Sequence, residues 1–133
     1  MTNNQILIEL KSVYGETKAY PQGVETMLVH DIENKILDHI VRTALRNRWS
    51  VSVNDGEDWV LVKSKVFADI RKTMQSTDED CLAFRGSNDR KLGRILLIYG
   101  NDGHDVISDY TCGDVDFDQF TDEMIDYTTN FVN

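Results

Sequence analysis

The tripeptide Asn-Asp-Gly occurs twice, at residues 54–56 and 101–103, each time between two runs rich in Val, Ile, Leu and aromatic residues. Such tripeptides supply the positive-φ positions that a tight chain reversal needs, so both read as hairpin turns joining antiparallel strands. Side-chain phase then selects the loop length of the first hairpin, Trp49 to Lys63. A two-residue loop would set Trp59 and Leu61 opposite Ser52 and Ser50. A three-residue loop with Gly56 in the left-handed position instead pairs Val51 with Trp59 and Trp49 with Leu61, gathering four large apolar side chains on one face. The three-residue loop is therefore expected.

Helical periodicity occupies the segments before, between and after the hairpins. From about Val24 to Arg48, Val29, Ile32, Ile36, Leu37, Ile40, Val41, Ala44 and Leu45 recur at three- and four-residue intervals and form one broad apolar stripe. Ser64 is placed to cap a second helix running to about Gln75, buried through Val66 or Phe67, Ile70 and Met74. Three strands follow, Cys81–Arg85, Leu92–Tyr99 and Asp105–Tyr110. The second of these is apolar at consecutive positions, which predicts a strand covered on both faces at the centre of the sheet, with Gly93 marking a bulge. A last helix from about Asp116 to Val132 shows Phe117, Phe120, Met124, Tyr127 or Thr128, and Phe131 on one face.

Before all of these, Ile6, Ile8 and Leu10 alternate as in a strand, and Pro21 closes an extended N-terminal segment, residues 1–21, that could form an edge hairpin and pair within the chain or with a second copy. The order β(β)αββαβββα predicts one domain over 1–133, of α+β class, with a mainly antiparallel sheet and three helices. At 41% apolar residues with one proline, 133 residues suffice for a real core. The longest apolar run, Ile95–Tyr99, is strand-sized and too short to span a bilayer, so no membrane association is expected. Two cysteines, Cys81 and Cys112, are too few for a disulfide framework. With no leader read at the start of the sequence, reduced thiols in a cytoplasm are expected.

Charge is segregated. Residues 1–100 carry 14 basic and 14 acidic side chains, and the whole net charge of −9 comes from Asp102, Asp105, Asp109, Asp114, Asp116, Asp118, Asp122, Glu123 and Asp126, with no Lys or Arg after Arg94. A one-signed end steers a basic partner and repels nucleic acid. Part of this charge also has a local task, because carboxylates at the start of the acidic helix, 114–133, cap free N–H groups and meet the positive end of its dipole.

Catalytic and cofactor motifs are weak. No phosphate-cradling glycine loop occurs. Asp114-x-Asp116-x-Asp118 opens like a calcium loop, but Gln119 and Ile125 stand where Gly and Glu are required. His30 and His39 fall on different faces of one helix, and neither cysteine has a nearby second ligand, so no metal or other cofactor is expected. His104, Asp109 and Cys112 contain the parts of a cysteine hydrolase, although acidic surroundings raise a thiol's pKa and blunt it. Arg42, Arg46, Arg48, Lys63, Lys65, Arg71 and Lys72 would make a basic surface if the second helix folded beside the end of the first. They lack the interleaved aromatics of a single-strand binder, and no direct nucleic-acid binding is expected.

Ser52–Trp59, Ser76–Asp80, Ile98–Gly103 and Val106–Tyr110 together resemble small proteins carried by bacteriophages and related mobile elements, for which no activity is assigned. Leu10–Pro21 is similar to the start of another set of short phage and plasmid proteins. The resemblance implies a mobile-element accessory protein in the cytoplasm of a bacterial host and brings no catalytic residues with it. With the charge pattern, it leads to the expectation of a non-enzymatic protein, monomer or homodimer, that binds a basic host or element-encoded protein, such as a defence or nucleic-acid enzyme that it inhibits. The expected contact residues are Asp105, Asp109, Asp114, Asp116, Asp118, Asp122, Glu123 and Asp126. The alternatives are a DNA mimic filling a nucleic-acid channel and the Cys112/His104/Asp109 hydrolase.

Overall fold

A computed structural model describes residues 22–132. Its elements are α1 (Gln22–Arg46), β1 (Ser50–Asn54), β2 (Trp59–Ser64), α2 (Phe67–Thr73), β3 (Glu79–Arg85), β4 (Lys91–Ile98), β5 (Ile107–Tyr110) and α3 (Val115–Thr128), with short 3-10 turns at Ser87–Asp89 and Thr129–Phe131. The class is α+β, with three helices and a five-stranded, wholly antiparallel sheet, as the sequence predicts. The strands expected within residues 1–21 lie outside the described residues.

The stripe on α1 buries Ile36, Leu37, Ile40, Val41 and Ala44 completely. The helix ends two residues before the predicted Arg48, and the hydrogen bonds show why. Arg48 N–H donates to the Leu45 carbonyl at 2.9 Å and Trp49 N–H to the Ala44 carbonyl at 3.1 Å, with Arg48 at φ 64°. This is the Schellman arrangement, with arginine in the left-handed position usually held by glycine. It turns Trp49 inward, where its ring lies 4.9 Å from that of Phe120 and 6.3 Å from that of Phe84.

The strand order is β2-β1-β3-β4-β5, so β3, not β4, is central. Strict alternation in β3 sends Asp80, Leu82 and Phe84 inward and leaves Cys81, Ala83 and Arg85 on the other side. Ile95 and Leu97 of β4 join the core, while Leu96 and Ile98 are half-buried on a face that carries no helix among the described residues. Among the described residues, the consecutive apolar residues of β4 therefore mark an inner strand of a sheet whose helices all lie on one side.

The first hairpin differs from the expected register. Asn54 pairs with Trp59 and Val53 with Leu61, across a four-residue loop, and register shifts break the ladder twice, so that Val51 faces Ser64. Side chains shape this loop: Asn54 Oδ1 accepts from Gly56 N–H, and Asp55 Oδ1 accepts from Glu57 and Asp58 N–H at 3.0 and 2.9 Å. The first shift sends Leu61 to the core and Trp59 to the open face, although the two are only two residues apart. Ser64 ends β2 and does not cap α2. Its hydroxyl accepts from Val66 N–H, the N-cap position belongs to Val66, and Phe67, Ile70 and Met74 supply the inward contacts.

α3 closes the core with Phe117, Phe120 and Met124, and Phe84, Phe117, Phe120 and Trp49 form one aromatic cluster. Gly93 sits beside the irregular step of the β3–β4 ladder, in agreement with the predicted bulge. A β-carbon there would come within 2.4 Å of two Phe117 ring carbons and 2.6 Å of Thr111 Oγ1, so glycine is what lets α3 approach the sheet.

Candidate functional site

The acidic residues of α3 divide into structural and free groups. Asp114 is the N-cap, its Oδ1 accepting from Phe117 N–H at 3.0 Å. Asp118 accepts from Gly113 N–H at 3.1 Å. Arg90, just before β4, bonds Asp114 and reaches Asp116 at 3.2 Å. The C-terminal charge run is thus not wholly unopposed: one arginine from elsewhere folds over its start. Asp122, Glu123 and Asp126 are exposed and make no ion pair among the described residues. At 100° per residue they fall with Asp116 and Gln119 within a sector of about 120°, on the side of α3 away from its buried face.

A groove of about 320 Å³ runs between the end of α1 and this sector, lined by Asn47, Trp49, Asp116, Gln119, Phe120 and Glu123. Its aromatic members are largely buried and its carboxylates exposed, so the accessible lining is mainly polar and acidic over a base of buried rings. On the α1 side, His39 stacks on Tyr127 with ring centroids 3.9 Å apart. Burial first and the Arg46 charge second hold the imidazole below its ordinary pKa, against the opposing pull of Glu123.

The remaining expected contacts do not join this surface. Asp105 accepts from Asp102 N–H within the β4–β5 loop, and Asp109 accepts from its neighbour Tyr110 N–H on the far strand of the sheet. Nor are the hydrolase parts assembled. His104 lies beside Leu28, Val29 and Ile32 of α1, whereas Cys112 is exposed beyond the opposite end of β5. The four residues of that strand separate them by about 13 Å at 3.3 Å per residue. The second helix does pack beside the end of α1, and part of the basic set is engaged there, with Arg71 held by Asp38 at 2.7 Å and Arg42 lying over the Phe67 ring at 4.6 Å. Among the described residues no group of three or more His, Cys, Asp or Glu side chains is placed to hold a metal ion, and no helix is long and apolar enough to cross a membrane.

One constellation escapes the sequence analysis. Glu33 and Asp80 are completely buried. Asp80 Oδ2 accepts from Gln75 N–H at 2.7 Å and from the Tyr99 hydroxyl, and Glu33 Oε2 accepts from Gly100 N–H at 2.6 Å. Burial pushes the Asp80 carboxyl above its ordinary range despite these hydrogen bonds. Burial and the bond to Asp80 push the Tyr99 phenol far up. The carboxylates clamp the end of β4 to α1 and to the start of β3, which is a structural task. Both were detectable: Glu33 falls on the apolar stripe three and four residues before Ile36 and Leu37, and Asp80 shares strand parity with Leu82 and Phe84.

No family model matches the chain, and comparison with curated proteins and with solved structures finds no significant similarity.

Proposed function

We propose that the protein is a non-enzymatic binding module that engages a basic partner protein through the outward sector of α3. The observation that carries this reading is the groove with Trp49 and Phe120 beneath and Asp116 and Glu123 beside it. Lys and Arg side chains carry a cationic head, which the exposed carboxylate walls of this groove attract. The free charges of Asp122 and Asp126 extend the negative field along the helix and favour encounter with a basic surface. In the cell the partner would be a host or element-encoded protein in a bacterial cytoplasm, in keeping with the resemblance to mobile-element accessory proteins.

A second reading, nucleic-acid mimicry, draws support from Asp118, Asp122 and Asp126. At four-residue intervals they form a ridge with a rise of about 6 Å per step, close to the spacing of successive phosphates. One experiment addresses both. Capture from bacterial lysate with the wild-type chain is compared with capture by Asp122→Asn/Glu123→Gln/Asp126→Asn, three exposed positions whose change should leave the melting temperature in place. Loss of a basic partner in the variant is the expected result, and an unchanged capture profile would overturn the assignment. Displacement of that partner by duplex DNA, weakening steeply with salt, would favour mimicry.

A further inference from the structure

All three helices pack on one side of the sheet, and its other side has no cover among the described residues. There the middle strands present small residues, Ser52 on β1 opposite Ala83 on β3. They floor a depression of about 300 Å³ walled by Trp59, Lys63, Arg85 and Arg94. Arg94 reaches from β4 across these two strands so that its guanidinium lies 5.3 Å from the centroid of the Trp59 ring on β2. Trp59 is 44% exposed, the only tryptophan with an accessible ring, and Arg94 makes no ion pair among the described residues. Asp89 holds Lys63 at 2.9 Å and Arg85 at 3.3 Å, so one acid answers two cations, while Asp109, opposite Leu96, and Glu79, at the far end of β3, are the other carboxylates on this side of the sheet. Lys91, whose charge also acts on Asp89, adds a third cation.

The depression itself, lined by Lys63, Arg85 and Arg94 and by no carboxylate, keeps a local surplus of positive charge despite the net charge of −9. The free carboxylates of α3 lie beyond the helix layer. That is more than a helix diameter of about 10–12 Å from the sheet, further than the roughly 8 Å over which charge is felt at physiological ionic strength. Lys and Arg beside an exposed aromatic ring and a stacked guanidinium are the two components of a single-strand platform, because phosphates take the charges and bases take the planes. An acidic peptide would use the charges and leave the indole face unused.

We propose that the open face of the sheet binds single-stranded nucleic acid, one base stacking against the Trp59–Arg94 pair while flanking phosphates meet Lys63, Arg85 and Lys91. This surface is separate from the α3 groove and does not depend on it. The test is fluorescence anisotropy of labelled oligouridylate and oligothymidylate with the whole chain. Trp59→Ala and Arg94→Ala should each weaken binding about tenfold, the effect of losing one stacked base. Three phosphate contacts predict a loss of about 15–20-fold between 50 and 200 mM salt. Lys63→Ala should lower that salt slope, Arg94→Lys should fall between wild type and Arg94→Ala, and Asp122→Asn/Glu123→Gln/Asp126→Asn should bind no more weakly than wild type. Melting curves identify any variant that has lost its fold. The absence of an anisotropy change, unaltered binding by both Trp59→Ala and Arg94→Ala, or equal competition by polyglutamate would each overturn the proposal.

Discussion

Asp80 combines two opposing demands in one side chain. Its carboxylate accepts a backbone and a phenolic hydrogen bond, yet it sits without solvent exposure and its second oxygen has no hydrogen-bond partner. Because burial raises its pKa above the ordinary 3.8, the folded chain binds a proton that the unfolded chain releases throughout the interval between the two values. Asp80 therefore favours folding fully below 3.8, and this contribution is lost as pH rises through the raised value. Urea midpoints measured across the acid range should show the wild type gaining on Asp80→Asn as pH falls through that interval. A constant difference between the two proteins would contradict the assignment. The residue was readable from strand parity, but its neighbours Ser76–Glu79 are polar and make the segment look like a loop. The partners that make its burial tolerable, Tyr99 and Gln75, are remote from it in sequence or belong to the backbone.

At the scale of the element, α1 and α3 were the most legible parts of the chain, because a three-to-four spacing of large apolar residues has few other uses. Strand register was less so. Side-chain phase fixes the register of a hairpin only where the ladder is unbroken, and two irregular steps in the first hairpin let Leu61 and Trp59 face opposite ways. The groove on α3 was half legible: the carboxylates could be counted, but the Schellman turn that brings Trp49 beneath them rests on Arg48 adopting φ 64°. That conformation is costly for a side-chain-bearing residue, so Arg48→Gly should stabilise the protein by about 0.5–1 kcal/mol, less than the full penalty because glycine also loosens the unfolded chain. Thermal denaturation checks the sign. A destabilised variant would mean that the Arg48 side chain contributes more than its backbone costs.

For the whole molecule, the decisive arrangement among the described residues is two layers, three helices on one side of a five-stranded sheet. Helices and sheet are joined through the aromatic cluster, in which the ring of Phe84 on the central strand lies 5.3 Å from Phe117 and 5.5 Å from Phe120 of α3. Phe84→Ala should cost about 3–5 kcal/mol in chemical denaturation, because the cavity would open where both layers meet. Near-UV circular dichroism should lose intensity as Trp49 is released, whereas a loss below about 1 kcal/mol would place the coupling elsewhere. Among the described residues β2 is a border strand, which has a further consequence. It carries exposed Val60 and Val62, the composition that invites chains to add to one another at a sheet margin. Its two irregular steps and the positive φ of Lys63 interrupt the row of amide groups that an incoming strand would have to match. The same distortions that turn the indole ring outward thus act as a guard against fibrillar stacking, so the chain can keep a sticky margin in a crowded cell without becoming a template for its own copies.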